Sequence, residues 1–128
     1  MIYLDASALV TYVTERPYFP ELHDFLIARS AFRGVTSTVG LIETVRNCDR
    51  IGNFPDLMTQ LLREYAELHI TSEIRDRAAN VPGGLRALDA IHIASATDLS
   101  PLDGFLTYDE RQAAAARLAG LRTLSPGS

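Results

Sequence analysis

Short apolar runs alternate with longer stretches of helical periodicity along the chain, and this alternation limits the possible folds more than any other feature. Strands are predicted at residues 2–4, 35–36, 68–70, 104–107 and 122–124. Helices are predicted at residues 6–13, 20–31, 39–50, 57–65, 72–80, 85–99 and 109–119, with Ser72 as the N-cap of the fifth and Gly120 ending the last. Strands that alternate with helices indicate a three-layer α/β/α sandwich with a mainly parallel sheet of roughly five strands.

The size and charge of the chain exclude several functions. Its 128 residues, 47% of them hydrophobic, suffice for the core of one domain over residues 1–128. All 12 basic residues are Arg, which excludes mechanisms that need a Lys, such as a Schiff base, a P-loop or a receiver-domain phosphoacceptor site. The segment "DASALV" after the first strand lacks the G-x-G-x-x-G pattern of a dinucleotide-binding fold. Because the net charge is −4, nucleic-acid binding requires locally placed Arg residues or a bound cation.

The composition also indicates where the protein acts. Cys48 is the only cysteine, so no internal disulfide forms, which favours a reducing compartment. The sequence contains no run of about 18 apolar residues, and its N-terminus enters a strand pattern directly instead of a basic and then apolar leader. We therefore expect a soluble cytoplasmic protein with no membrane segment.

Two acidic residues follow predicted strands directly. Asp5 comes after the first strand, and Asp109 comes just after the strand "GFLTY". In a parallel sheet the ligand crevice lies beyond the carboxyl ends of the strands, so both carboxylates are expected at its edge. Both also precede helices, so helix capping is the alternative, and the hydroxyls of Ser7 and Thr107 are open to the same two interpretations.

Two further acids lie inside apolar helical segments. Glu43 stands in "TVGLIETVRN" and Asp89 in "LRALDAIHIASA", where capping does not explain either residue. The alternative for each is an ion pair three residues away on the same helix face, with Arg46 or Arg86 respectively. A helix that is apolar on nearly all sides is buried, so its acid is expected to face a polar cavity.

If these four carboxylates converge, they require a compensating positive charge. Two like charges about 4 Å apart repel by roughly 4 kcal/mol at an effective dielectric near 20. Mg²⁺ prefers oxygen ligands and is often held by only one or two carboxylates, whereas a set without His suits Zn²⁺ poorly. His92 follows Asp89 by three residues, but a lone His in an apolar helix is more often a packed structural residue. We therefore assign no histidine to catalysis.

The segments "MIYLDASALV", "GLIETVR", "ALDAIHIASA" and "FLTYDER" resemble the four acidic signatures of the PIN-domain superfamily in order and spacing. The length of the chain, and a Glu followed three residues later by Arg, are most similar to VapC-type toxins of bacterial toxin–antitoxin pairs. This resemblance implies a Mg²⁺- or Mn²⁺-dependent endoribonuclease that is a homodimer and is neutralised by a small antitoxin. It also implies that Asp5, Glu43, Asp89 and Asp109 form the acidic quartet, with Asp5 and Asp89 as the most direct metal ligands.

The implied reaction leaves several roles open. A cation activates a water and stabilises charge at the scissile phosphate, and either Asp109 or Glu43 orients that water. Candidate contacts to metal-bound water or phosphate are Ser7, Arg46, Arg86 and Arg111, with surface salt bridges as the alternative for the three arginines. The rival function is a catalytically silent PIN-like module that binds RNA or a partner, and the presence of all four acids argues against it. A flap nuclease is disfavoured because the chain is too short for threading elements.

Overall fold

The computed structural model describes residues 1–31 and 33–128. Its strands are β1 (Ile2–Leu4), β2 (Gly34–Ser37), β3 (Ala66–Leu68), β4 (Gly104–Leu106) and β5 (Thr123–Leu124). Its helices are α1 (Ala6–Thr14), α2 (Phe19–Ala28), α3 (Thr38–Ile51), α4 (Leu57–Glu64), α5 (Ser72–Ala79), α6 (Ala87–Thr97) and α7 (Glu110–Leu118).

The five strands form one sheet in the order β3-β2-β1-β4-β5, and every neighbouring pair is parallel. β1 lies at the centre, where Tyr3 is in register with Val35 of β2 and Phe105 of β4. The strand order reverses direction at β1, which makes the adjacent carboxyl ends a natural ligand crevice. The predicted parallel, five-stranded sheet is confirmed.

Apolar side chains cover both faces of this sheet. Because side chains alternate along a strand, Ile2 and Leu4 point to one face and Tyr3 to the other. The first face packs against α1, α3 and α4, chiefly through Leu9, Leu41, Leu57 and Leu61. The second face packs against α6 and α7 through Ile93, Ala96, Ala115 and Ala116. The result is the predicted three-layer sandwich, and burial on both faces explains why β1 and β4 are continuous apolar runs.

The third strand begins two residues earlier than predicted. Ala66 pairs with Val35, and Leu68 pairs with Ser37, the last residue of β2. Pairing therefore stops at Leu68, and the expected strand at 68–70 is wrong. β3 is an edge strand whose residues are only partly buried, so its apolar pattern is weak and the residues that follow it give the stronger alternation.

The ends of α5 and α6 also differ from the prediction. Thr71, not Ser72, is the N-cap of α5, since its hydroxyl accepts from the backbone N–H of Ile74 at 3.2 Å. The sixth helix spans Ala87–Thr97 instead of 85–99. This shorter helix places Asp89 in its first turn, where a carboxylate is favoured by the helix dipole. Asp89 thus lies inside a helix as expected, but in its first turn.

Across the two described ranges, 1–31 and 33–128, no helix combines the length and apolarity needed to cross a bilayer.

Candidate active site

A cleft of about 200 Å³ opens where the carboxyl ends of β1 and β4 meet the helices that follow. All four predicted carboxylates line this cleft: Asp5, Glu43, Asp89 and Asp109. Asp5 follows β1, Asp109 lies beyond β4, and Glu43 is on α3, which continues from β2. The parallel sheet therefore brings together acids that are up to 104 residues apart, from position 5 to position 109.

Asp5 is the most deeply buried of the four. Its carboxylate oxygen Oδ1 accepts from the backbone N–H of Ala8 at 3.0 Å and from the hydroxyl of Ser7 at 2.6 Å. Its other oxygen, Oδ2, accepts from the hydroxyl of Thr107. Burial raises the pKa of Asp5 above its ordinary value, although the hydrogen bonds from these three donors act in the opposite direction. An ionised Asp5 is therefore costly unless a further positive charge reaches it.

The hydroxyls of Ser7 and Thr107 tie the two strand ends together. Ser7 accepts from the backbone N–H of Tyr108 at 2.9 Å, and Thr107 accepts from the backbone N–H of Asp109 at 3.1 Å. Each hydroxyl also donates a hydrogen bond to the Asp5 carboxylate. The two residues therefore fix the position of the Asp5 carboxylate, beyond the simple turn closure considered from the sequence.

Asp109 caps a helix and faces the cleft at the same time. Its Oδ1 accepts from the backbone N–H groups of Arg111 at 2.9 Å and Gln112 at 3.2 Å. Asp5 likewise caps α1. A carboxylate has about four lone-pair sites, so capping uses only part of its capacity. Capping and a role in the cleft are thus compatible, although the sequence presents them as alternatives.

Glu43 is hydrogen-bonded to a histidine. It does not pair with Arg46, which the sequence offered as the alternative partner. Its Oε1 lies 2.6 Å from Nε2 of His92. The opposite ring nitrogen, Nδ1, lies 2.7 Å from the hydroxyl of Tyr3, whose pKa is raised by burial. His92 is 2% exposed, so it is the packed residue that was predicted. Its link to Glu43 was missed, and the only signal in the sequence is its spacing of three residues from Asp89.

Asp89 does form the ion pair considered as its alternative. Nε of Arg86 lies 3.5 Å from Oδ2 of Asp89. The Arg86 side chain is 81% exposed, so this pair contributes little to stability. The backbone carbonyl of Asp89 accepts from Nε2 of Gln112 at 3.2 Å, which ties the start of α6 to α7.

The predicted arginines do not all lie at the cleft. Arg86 lines it, whereas Arg46 lines a neighbouring groove of about 400 Å³ and Arg111 is not among the lining residues of either. Arg16 and Asn47 line the cleft and were missed. Asn47 follows Glu43 by four residues on α3, so helical spacing could have found it. Arg16 follows a left-handed turn at the end of α1, which the sequence does not signal.

The donor set fits a hard cation with few direct protein ligands. In the part of the chain that the structure describes, no three side chains of His, Cys, Asp or Glu form a ready-made metal cluster. Mg²⁺ usually keeps several waters and needs only one or two carboxylates. The cleft supplies carboxylate oxygens, and the one histidine that lines it is bonded through both ring nitrogens. Oδ2 of Asp5, with a single hydroxyl donor, has a lone pair left for such an ion.

Sequence comparison identifies similar proteins. Residues 2–118 match the PIN domain family. Ribonuclease VapC47 of Mycobacterium tuberculosis (strain CDC 1551 / Oshkosh) is 36% identical, over 100% of this chain and 98% of that protein. Ribonuclease VapC35 of the same strain is 34% identical, over 99% of this chain and 98% of that protein.

Solved structures share the fold. Mycobacterium tuberculosis VapC20, a sarcin-ricin loop cleaving toxin, has a TM-score of 0.71 over 90% of this chain and 95% of its own, at 17% identity. A chain from the structure of FitAB bound to the IR36 DNA fragment has a TM-score of 0.68 over 98% of this chain and 95% of that chain, at 16% identity. The family match and the full-length relatives together show that this chain belongs to the PIN-domain family, as a VapC-type member.

Proposed function

We propose that this protein is a divalent-metal-dependent endoribonuclease, the toxin of a toxin–antitoxin pair, that acts in the cytoplasm as one nuclease domain over residues 1–128. The observation that carries the proposal is the meeting of Asp5, Glu43, Asp89 and Asp109 in a single cleft. Relatives named as ribonucleases, similar over nearly the full length of both chains, support RNA as the substrate.

Asp5 and Asp89 hold the Mg²⁺ or Mn²⁺ ion most directly in this proposal, with Asp109 and Glu43 completing the acidic site. When bound, the cation supplies an activated water and neutralises charge at the scissile phosphate. The fixed position of Asp5 favours its role, because Ser7, Ala8 and Thr107 hold its carboxylate without the help of solvent.

Either Glu43 or Asp109 orients the attacking water. His92 engages Oε1 of Glu43, and capping of α7 engages Oδ1 of Asp109. In each carboxylate one oxygen is thus held by the protein. The second oxygen can accept a hydrogen bond from a water in the cleft.

The RNA backbone approaches this acidic site through local positive charge. Arg16 and Arg86 line the cleft and are the best-placed arginines for phosphate groups. Arg46 and Arg111 are proposed as outer contacts, and Ser7 as a contact to a metal-bound water or phosphate oxygen. Because the whole chain carries a net charge of −4, we expect RNA binding to depend on these few residues and on the cation.

We also propose a homodimer and a small antitoxin as partners. The groove next to the cleft has an apolar lining that includes Val39, Ile42 and Leu88, and it shares Glu43 with the cleft. Ile42 and Leu88 are 47% and 48% exposed, which suits burial by a protein partner. Light scattering of the purified protein, alone and with its antitoxin, tests both partners.

The decisive experiment incubates the purified, antitoxin-free protein with total RNA, with Mg²⁺, with Mn²⁺ and with EDTA. Asp5→Asn and Asp89→Asn are expected to lower cleavage by more than the roughly 10–100-fold typical of losing a partner behind a metal ligand, since each removes charge at the metal site itself. Asp24→Asn is the matched control, because this side chain on α2 is 85% exposed. Cleavage that persists in EDTA, or in both site variants, contradicts the proposal. RNA binding without cleavage under any condition supports the catalytically silent alternative.

A further inference from the structure

A buried chain of hydrogen bonds runs from the central strand to the cleft. Tyr3 on β1 contacts Nδ1 of His92 at 2.7 Å, and Nε2 of His92 contacts Oε1 of Glu43 at 2.6 Å. Tyr3 is fully buried and His92 nearly so, whereas the Glu43 side chain is 24% exposed at the cleft. The chain thus ends on one of the four carboxylates.

The chemistry of Tyr3 and Glu43, at the two ends of this chain of hydrogen bonds, decides which atoms donate and which accept. An ionised carboxylate only accepts hydrogen bonds, so Nε2 of His92 carries the proton that points to Glu43. A buried phenol stays protonated and donates a hydrogen bond to the other ring nitrogen. Tyr3 therefore favours the ring form in which Nδ1 accepts its hydrogen bond and Nε2 donates to Glu43.

Packing holds the histidine ring in this orientation. The ring lies edge-on to Tyr3, with centroids 5.8 Å apart and planes at 74°. Tyr3 itself stacks on Phe105, with centroids 5.4 Å apart. On the other side, a side-chain carbon at Gly40 would come within 3.3 Å of Cε1 of His92. Glycine at this position leaves room for α3 to bring Glu43 within reach of the ring.

We propose that His92 is a positioning residue, which, in the tautomer selected by Tyr3, holds the Glu43 carboxylate toward the cation in the cleft. The part of this inference that concerns the cation rests on the proposed function. The hydrogen bonds of His92 to Tyr3 and Glu43 do not depend on it. Hydrogen-bonding partners behind a metal-binding carboxylate restrict its rotation, and their loss typically weakens metal affinity by about 10–100-fold.

Three variants separate positioning from packing. His92→Leu fills a similar volume but donates no hydrogen bond. His92→Gln keeps an N–H donor close to the place of Nε2, and Tyr3→Phe keeps the stack on Phe105 but removes the phenol proton. Calorimetric titration of each metal-free protein with Mn²⁺ alone measures the effect.

We expect His92→Leu to weaken Mn²⁺ binding by about tenfold or more and His92→Gln to restore it to within a few-fold of the wild-type value. RNA cleavage is expected to show the same order in kcat, with KM little changed. Wild-type Mn²⁺ affinity and kcat in a folded His92→Leu protein would overturn the proposal. If His92→Leu does not fold, the Tyr3→Phe titration and the spectra below decide.

Nitrogen NMR of ¹⁵N-histidine-labelled protein gives a readout that does not depend on activity. The His92→Gln spectrum identifies the His92 signals, which are expected to show a neutral ring protonated at Nε2. Tyr3→Phe is expected to lose this single tautomer and some Mn²⁺ affinity. An Nδ1-protonated or doubly protonated ring in the wild-type protein would overturn the assignment, and an unchanged Tyr3→Phe protein would overturn the part given to Tyr3.

These measurements also separate this inference from the proposed function. If the wild-type protein neither binds Mn²⁺ nor cleaves RNA, the proposed function fails, and the spectra alone decide whether His92 donates to Glu43. If the wild-type protein does both and the His92 variants match it, only the positioning role fails.

Discussion

Asp5 caps a helix and also carries a carboxylate whose ionised form is disfavoured by burial. Three internal donors satisfy its carboxylate, yet burial still raises its pKa. The same burial that makes the group costly in the metal-free protein makes its interaction with a cation strong, because the local dielectric is low. We interpret this loss of stability as the consequence of a binding site that is already formed before the ion binds.

Asp5→Asn is therefore expected to stabilise the metal-free protein at neutral pH. Asn caps a helix about as well as Asp, and the hydroxyl of Thr107 can turn to accept from the new amide. Each kcal/mol gained corresponds to roughly 4 °C in Tm for a chain of this size. Thermal melting in EDTA measures the change, and a lower Tm for Asp5→Asn at pH 7 would contradict it.

The sign of the pH dependence follows from the raised pKa of Asp5. Below the ordinary pKa of an Asp, the side chain is protonated in both the folded and unfolded states and costs nothing. As the pH rises through the folded-state pKa, the penalty for ionising the buried group grows to its full value. The advantage of Asp5→Asn over the wild type should accordingly be small near pH 4 and larger at pH 7. An advantage that does not grow with pH would contradict this expectation.

At the scale of single elements, the start of α3 depends on the absence of a side chain at Gly40. A Cβ there would clash with the hydroxyl oxygen of Thr36, which is buried in β2. Gly-to-Ala substitutions in helices normally stabilise by up to about 1 kcal/mol. Here we expect Gly40→Ala to destabilise by about 1–3 kcal/mol, because the Thr36 side chain or the helix must move to make room for the Cβ.

A double-mutant cycle in urea tests the cause of this loss. The Thr36 hydroxyl oxygen is the atom that a Cβ at Gly40 would meet, so Thr36→Ala removes the proposed clash. Gly40→Ala should cost clearly less when Thr36→Ala is already present. Equal costs in the two backgrounds would rule out the contact with Thr36 as the reason.

The start of α5 offers a second test at this scale. Thr71→Ala should lower the free energy of unfolding by about 1 kcal/mol, because it removes the hydroxyl that accepts from Ile74. Ser72→Ala, one residue into the helix, should change stability by less than about 0.5 kcal/mol. Urea unfolding of the two variants compares them directly, and the reverse order would place the cap at Ser72 after all.

At the scale of the whole molecule, the parallel topology collects negative charge at one sheet edge. Divalent cation is therefore expected to stabilise the folded protein, by about 2.7 kcal/mol when its concentration is 100 times the dissociation constant. Melting with increasing Mn²⁺ should show a rising Tm in the wild type and in Asp24→Asn, and a much smaller rise in Asp5→Asn. An unchanged Tm at saturating Mn²⁺ would contradict a shared metal site.

The sequence alone determined the features that depend on local spacing. The first strand was predicted at its observed limits, and the alternation of strands and helices predicted the parallel, three-layer fold. The four acidic motifs, each a short pattern, predicted which carboxylates lie at the crevice. These features are readable because side-chain period and strand-to-helix order are set within a few residues.

Only the tertiary structure decided which side chains meet. The bond from Thr107 to Asp5 spans 102 residues, and that from His92 to Glu43 spans 49. The end of β3 likewise follows from its register with β2, not from its own pattern. Such contacts depend on how closely two elements pack, as Gly40 shows for α3. Local periodicity places the acids at the cleft, whereas packing selects the partner that holds each one.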